Sequence, residues 1–136
     1  MKRLLLILSC LSIMLCTSAC SDRAGILFNQ NPITEENVLD NSTVFQAGRR
    51  IYYLILMPQK VHSRYLYIQV VKKDNDYARL GYDLYWSKNV RLKDEETNYF
   101  TDYVVINQKG YYIMQVYSKD NPTKRLTAAE FYVQAP

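Results

Sequence analysis

Short runs of Val, Ile, Leu and Tyr follow one another from residue 43 to the end of the chain, with turn-forming residues between them. Within most runs apolar and polar positions alternate, which is the period of a β-strand with one buried face. Short strands at regular spacing are typical of a β-sandwich. The pattern predicts eight strands, at residues 43–46, 51–57, 65–73, 82–86, 90–93, 99–107, 111–118 and 127–134.

The segments between the predicted strands are rich in residues that favour turns. We therefore expect one all-β, antiparallel domain over residues 43–136, in which Ser87-Lys88-Asn89 is a turn that separates the fourth strand from the fifth. On the fourth strand, Tyr82, Leu84 and Trp86 fall on the same face because they are two residues apart. We expect that face to belong to the core.

Residues 20–42 lack a periodic apolar pattern and contain many Asn, Asp, Glu and Gln residues, with a turn signal at Asn31-Pro32. We expect this segment to be a tether. Fully extended, such a segment would reach about 70 Å, so the domain would stand clear of whatever holds its N-terminus.

The first residues have the three parts of an export signal. Lys2 and Arg3 are followed by an apolar run over residues 4–16 and by small residues at 17–19. The run is shorter than the roughly 20 residues that a helix needs to cross a bilayer. We therefore expect residues 1–19 to be a signal peptide that is removed.

The stretch from Leu15 to Cys20 resembles a bacterial lipobox, in which small residues precede a cysteine that becomes the lipidated N-terminus. The family usually has Leu where this chain has Thr17, and residues 17–19 also fit the general signal peptidase, which would cut the same bond. All three cysteines lie within the first twenty residues. An unmodified mature protein would begin with a free thiol in an oxidising compartment, which favours lipidation. The resemblance implies acyl chains such as palmitate on Cys20, and a membrane anchor there.

The segment Gln108-Lys109-Gly110-Tyr111-Tyr112-Ile113-Met114 resembles the start of the sixth strand of an immunoglobulin-like sandwich. In that family a tyrosine forms a corner between the sheets, with its hydroxyl bonded to the backbone. Gly110 and Tyr112 match this motif, whereas Gln108 replaces its acid and Met114 its cysteine. The resemblance implies an immunoglobulin-like sandwich of about seven or eight strands without the antibody-type disulfide.

All 13 tyrosines lie after the predicted signal peptide. If Tyr112 points inward, strand alternation turns its neighbours outward. In an immunoglobulin-like sandwich the predicted strands 65–73, 111–118 and 127–134 are neighbours in one sheet. Tyrosine combines an apolar ring with a polar hydroxyl, and patches of it often bind protein or sugar. Alternatively, tyrosine simply suits exposed strand positions, or the tether covers this face. We expect an outer face that gathers Tyr65, Tyr67, Tyr111, Tyr117 and Tyr132 around Ile113.

Residues for catalysis form no recognisable group in the sequence. The single histidine, His62, is in a turn-like segment, and no glycine-rich phosphate loop is present. Asp74-Asn75-Asp76 and Asp94-Glu95-Glu96 are expected to be solvated turns, since a calcium loop needs more ligands than either supplies. We expect no enzyme activity, no bound metal and no cofactor.

The formal net charge of the chain is +4, and Lys2 and Arg3 contribute two of these charges. The other basic residues are scattered among Asp and Glu and form no stripe suited to nucleic acid. We therefore expect no nucleic-acid partner.

Together these patterns predict a non-catalytic, lipid-anchored envelope protein that binds another envelope or extracellular component, a protein or a glycan, through the tyrosines or by adding a strand at a sheet edge. The first alternative is a structural or assembly subunit of a secretion, pilus or envelope complex, and the second is a small glycan-active enzyme. Ser21 after Cys20 resembles the sorting rule of enteric bacteria, which favours the outer membrane, facing the periplasm or the surface, over the inner membrane. The sequence indicates no oligomeric state.

Overall fold

The computed structural model describes residues 23–57, 64–73, 82–94 and 98–136. Within these residues the secondary structure is all β, and no helix is long and apolar enough to cross a membrane. The predicted all-β fold is therefore confirmed. The strands are β1 Gly25–Asn29, β2 Val44–Gln46, β3 Arg50–Leu56, β4 Tyr65–Lys73, β5 Tyr82–Arg91, β6 Tyr99–Val105, β7 Gly110–Ser118 and β8 Asn121–Gln134.

The eight strands form two sheets, one with the order β1-β3-β6 and one with the order β2-β8-β7-β4-β5. Every ladder is antiparallel except that β2 runs parallel to β8. The expectation that β4, β7 and β8 are neighbours in one sheet is confirmed. Two packed sheets with this order make an immunoglobulin-like sandwich.

The core lies between the inner faces of the two sheets, where alternate residues of the central strands are fully buried. They are Ile51, Tyr53 and Ile55 on β3, Leu66, Ile68 and Val70 on β4, and Tyr112, Met114 and Val116 on β7. The described residues contain no cysteine. Burial of apolar surface, worth about 25 cal/mol per Å², is therefore the main source of stability.

Tyr112 fixes the entry of the chain into β7. Its hydroxyl donates to the backbone carbonyl of Gln108 at 2.7 Å, which is the bond that the resemblance to the immunoglobulin corner implies. Gly110 has a φ of +150°, and a Cβ there would lie 2.9 Å from Cε of Lys72, so glycine allows the Lys72 side chain of β4 to approach. Burial, together with the nearby Tyr85, raises the pKa of Tyr112 to about 12.

The expectation that residues 20–42 form a tether is wrong for residues 25–29, which form β1 and pair with β3. Phe28 is 2% exposed, and its ring centroid lies 6.3 Å from that of Phe45 and 5.0 Å from that of Phe131. The sandwich therefore begins near Gly25 and not at residue 43. A five-residue strand turns only Ile26 and Phe28 inward, which is too few positions for a visible period.

Asparagine side chains hold the loop between β1 and β2. The Asn29 amide donates to the carbonyl of Asp40 at 3.0 Å, and Asn41 Oδ1 accepts from the backbone N–H of Phe28 at 2.9 Å. Asn37 Oδ1 accepts from a backbone N–H three residues earlier at 2.8 Å. The polar composition that predicted a tether therefore supplies the bonds that close this loop.

The two strands predicted at 82–86 and 90–93 are one strand, β5. Ser87, Lys88 and Asn89 form no turn and pair with residues of β4. Lys88 Nζ lies 2.5 Å from Oδ2 of Asp102 on β6, so an ion pair links the edges of the two sheets. Turn-forming residue types are tolerated here because β5 is an edge strand with exposed side chains.

An irregularity in the ladder between β4 and β5, opposite Val70 and Val71, changes the alternation along β5. Trp86 packs against the core as expected, but Leu84 is 60% exposed. The expectation that Leu84 shares the core face of Trp86 is therefore wrong, because period-two counting fails across the irregularity. The side chain of Tyr82 lies outside the described residues.

Candidate binding surface

The outer face of the five-stranded sheet carries the side chains that the sequence predicted as a binding surface. The inward residues of β4, β7 and β8 are buried in the core, so the alternate residues of these adjacent strands point away from it. We call this surface the tyrosine face. It comprises Tyr65, Tyr67, Tyr111, Ile113, Tyr117 and Tyr132.

The tyrosines of this face form two cross-strand pairs. Tyr67 of β4 lies directly opposite Tyr117 of β7, with the ring centroids 6.3 Å apart. Tyr111 of β7 lies opposite Tyr132 of β8, with the centroids 4.6 Å apart. Directly opposed aromatic residues stabilise a sheet by about 0.2–1 kcal/mol per pair. The rings are therefore held in place by the strands that carry them and by one another.

The centre of the tyrosine face is apolar and shielded by its neighbours. Ile113 lies opposite Val71, and the two side chains are 9% and 8% exposed. Beside them Gln69 donates a side-chain hydrogen bond to Gln115 across the same two strands. Ile113 thus occupies the expected position, but the surrounding side chains leave little of it accessible.

The rim of the tyrosine face is charged and mostly basic. Lys119 Nζ lies 5.8 Å from the ring centroid of Tyr65, which is 45% exposed. Lys73 lies opposite Tyr111, the most exposed of these tyrosines at 62%. Arg91 is opposite Tyr65, and an acid, Glu130, is opposite Ile113. The exposed rings are thus surrounded by more cations than anions.

A second apolar surface, which the sequence reasoning missed, covers the outer face of the three-stranded sheet. Tyr99, Tyr103 and Val105 of β6 and Leu56 of β3 are each about two-fifths exposed. Cζ of Arg50 lies 4.6 Å from the Tyr103 ring centroid. The alternation of Tyr99, Tyr103 and Val105 is visible in the sequence and predicts a strand. It does not predict which face of the strand is outward, because both sets of alternate residues on β6 contain large apolar side chains.

Several predicted positions lie outside the described residues: Cys20, His62, Asp74-Asn75-Asp76 and Glu95-Glu96. In the part of the chain that the structure describes, no three His, Cys, Asp or Glu side chains are grouped as metal ligands. Asp94 is described, and it forms an exposed ion pair with Arg64.

No protein-family model matches this sequence. No curated protein matches it by sequence either. Among solved structures, a candidate lipoprotein from Bacillus anthracis has 8% identity and a TM-score of 0.47, over 85% of this chain and 76% of that one.

Two further structures are similar at the same level. A variant of the superoxide reductase neelaredoxin from Ignicoccus hospitalis has 7% identity and a TM-score of 0.49, over 87% of this chain and 85% of that one. The CARDB domain of a Pyrococcus furiosus protein, in complex with di-metal ions, has 17% identity and a TM-score of 0.38, over 83% and 87%. At these levels of similarity neither a family nor a function follows.

Proposed function

We propose that this protein is a non-catalytic, lipid-anchored envelope protein that binds a protein partner through the tyrosine face. The observation that carries the proposal is the arrangement of that face, with paired and partly exposed tyrosine rings around the shielded side chains of Val71 and Ile113, and a charged rim outside them. Protein interfaces share this anatomy, with aromatic residues enriched, an apolar centre and a polar rim.

The position of the rings on the sheet supports binding. β4 and β7 are interior strands, paired on both sides, so their backbones are fixed before any partner arrives. A tyrosine has few rotatable bonds, and its immobilisation on binding costs little conformational entropy. The exposed rings of Tyr65 and Tyr111 are therefore suited to be contact residues.

The rim indicates the charge of the partner. Lys73, Arg91 and Lys119 lie beside the tyrosines, with Glu130 as the acid opposite Ile113. Complementary charges raise the association rate and exclude wrong partners. We therefore expect the partner to present an acidic protein surface.

Strand addition at the β5 edge is a less suitable mode of binding. β5 pairs with β4 on one side only, and its edge carries charged residues such as Lys88 and Arg91. Charged side chains on an edge strand discourage pairing with a further strand. The tyrosine face is therefore better supported as a binding surface than the β5 edge.

The lipid anchor rests on Cys20, the cysteine of the lipobox-like segment and the last cysteine in the chain. Mass spectrometry of the N-terminal peptide from membrane-extracted protein measures it directly. We expect a peptide that begins at Cys20 and carries two or three acyl chains. A bare Cys20 would exclude the anchor while leaving the tyrosine face untested.

Photo-crosslinking in cells tests the tyrosine face. A photoreactive amino acid at position 65 should capture a protein, and Tyr111→Ser combined with Tyr117→Ser should reduce the captured amount at least tenfold, because truncated interface anchors commonly cost more than about 1 kcal/mol each. The probe placed at Leu39, which is 90% exposed and off this face, is the matched control.

Thermal unfolding of the double variant shows whether the sandwich is still folded. Unchanged capture by a folded double variant would contradict the proposal. Capture of carbohydrate without protein would keep the face as a binding surface but exclude a protein partner.

The second apolar surface favours a second candidate role, that of a structural subunit. A sandwich with apolar residues on both outer faces, such as Tyr111 on one and Tyr103 on the other, can contact two neighbours at once. Crosslinking from position 103 that captures a protein different from the one at position 65 would favour this role.

A further inference from the structure

A polar cleft lies at the end of the sandwich where β1 ends and β3 begins. Its volume is about 620 Å³, within the roughly 300–1,000 Å³ of typical small-molecule sites. One wall is the turn from β2 to β3, and the other is the start of the loop after β1. The side chains that matter for its chemistry are Arg49, Arg50, Gln30, Asn31, Gln46 and Gln134.

The turn that carries the arginines is held rigidly. The backbone N–H of Arg49 donates to the carbonyl of Gln46 at 3.2 Å, and the N–H of Gly48 donates to the carbonyl of Ile106 at 2.8 Å. Gly48 has a φ of +80°, which the third position of a type II turn requires and glycine adopts without strain. A third bond, from Ala47 N–H to the Gln134 carbonyl at 2.9 Å, joins the turn to β8.

The opposite wall is also fixed before any ligand arrives. The backbone N–H of Asn31 donates to Oδ1 of the buried Asn29 at 2.9 Å. Gln30 Nε2 donates to the carbonyl of Val44 at 3.4 Å, across the mouth of the loop. A preformed cleft does not have to be ordered by its ligand, which reduces the entropy cost of binding.

The cleft is positively charged and hydrophilic. Arg49 and Arg50 are its charged residues, and no carboxylate is among the described residues that line it. No ion pair to either arginine exists within the described part of the chain. The guanidinium of Arg50 also contacts the ring of Tyr103, which does not line the cleft, whereas no ring contact of this kind involves Arg49 in the described residues.

We propose that this cleft binds an acidic sugar, with its carboxylate or phosphate held by Arg49 and Arg50 and its hydroxyls by the surrounding amides. The guanidinium group presents its N–H donors in a fork that fits the oxygens of either anion. The side-chain amides of Gln30, Asn31, Gln46 and Gln134 each offer a donor and an acceptor, which a polyhydroxylated ligand can use. Val44 is the exposed apolar residue of the lining, so an apolar ligand would find little contact.

Titration followed by NMR tests this proposal on the protein purified from cells that produce the whole chain. The probes are glucuronic acid, glucose 6-phosphate and methyl glucoside, with acetate and inorganic phosphate as anions that lack a sugar. We expect at least one acidic sugar to shift the backbone amides of Asn31, Arg49 and Arg50, and to bind at least tenfold more tightly than the neutral sugar and the sugar-free anions. Comparison of the two acidic sugars identifies whether the cleft takes a carboxylate or a phosphate.

The variant Arg49→Gln should weaken binding of that sugar at least tenfold. Arg125→Gln is the matched control, since Arg125 is exposed on β8, outside the cleft, and carries the same charge. Equal weakening by both variants would show a general charge effect and overturn the proposal. So would the absence of binding by both acidic sugars, or binding of methyl glucoside with equal affinity.

Discussion

At the scale of single residues, the described part of the core contains two fully buried tyrosines, Tyr53 and Tyr112, which differ in their hydrogen bonding. The Tyr112 hydroxyl donates to the Gln108 carbonyl, whereas the Tyr53 hydroxyl has no hydrogen-bond partner in the part of the chain that the structure describes. Burial, with the charge of Asp102 as a smaller cause, raises the pKa of Tyr53 well above its ordinary value.

We expect opposite effects from removing these two hydroxyls. Tyr112→Phe deletes a buried hydrogen bond and leaves the Gln108 carbonyl unpaired, which should lower the free energy of unfolding by about 1 kcal/mol. Tyr53→Phe deletes a buried polar atom without a partner and should raise that free energy by up to about 1 kcal/mol. Urea denaturation of both variants beside the parent protein measures the difference. A clear loss of stability in Tyr53→Phe would show that its hydroxyl is bonded.

The raised pKa of Tyr112 makes the stability difference between the parent protein and Tyr112→Phe depend on pH. A tyrosine in the unfolded chain ionises near pH 10, whereas Tyr112 in the folded state ionises near 12. Between these values the unfolded state releases a proton that the folded state keeps. The contribution of Tyr112 to the free energy of unfolding is therefore fully present below about pH 10 and is lost as the pH rises toward 12. The stability difference between parent and Tyr112→Phe should therefore be smaller at about pH 11 than at about pH 8.

At the scale of elements, β1 is the part of the fold that tests most directly where the domain begins. Phe28→Ala should lower the free energy of unfolding by about 3–5 kcal/mol, because its ring packs between two other buried rings and leaves a cavity when removed. Leu39→Ala is the matched control, and its effect should stay within about 0.5 kcal/mol since Leu39 is 90% exposed. Equal small effects would place residues 25–29 outside the cooperative unit.

The long central strands could be predicted from the sequence, because β3, β4 and β7 repeat buried and outward residues over seven to nine positions. β1 could not be, since two inward residues make no period. The sequence predicts two strands in place of β5, because Ser87, Lys88 and Asn89 favour turns locally. In the structure, pairing with β4 and the ion pair to Asp102 favour a single strand. The composition of the tyrosine face followed from strand alternation together with the immunoglobulin resemblance, which made its three strands neighbours. The cleft did not, because its arginines and amides come from the loop after β1, the turn from β2 to β3 with its flanking strand residues, and the end of β8, which only the fold brings together.

At the scale of the whole molecule, the direction of β1 determines which end of the sandwich is nearest to Cys20. β1 begins at Gly25, at the end that also holds the turn after β7, and it runs toward the cleft. Four residues separate Cys20 from Gly25, and the five Cα–Cα steps between them span at most about 18 Å. The reach of about 70 Å expected for a long tether is therefore excluded by the fold.

Spin labels can measure this orientation in lipid vesicles. Lys119→Cys places a label at the end near Gly25, and Lys109→Cys places one at the end near the cleft; both lysines are exposed. With a lipid on Cys20, collisional relaxation by oxygen and by a water-soluble nickel complex should show position 119 closer to the bilayer than position 109. Equal accessibility of the two labels to the nickel complex would contradict this orientation of the domain.

A strand that starts beside its anchor also sets the directions from which ligands approach. If Cys20 carries lipid and β1 extends away from the membrane, the tyrosine face is directed parallel to the membrane plane. The cleft then lies at the end of the domain farthest from the membrane. A protein on the tyrosine face would then be a lateral neighbour, resident at the same membrane surface. The acidic sugar would then belong to a component farther from the membrane than the domain. The domain would connect that component to the protein bound on the tyrosine face.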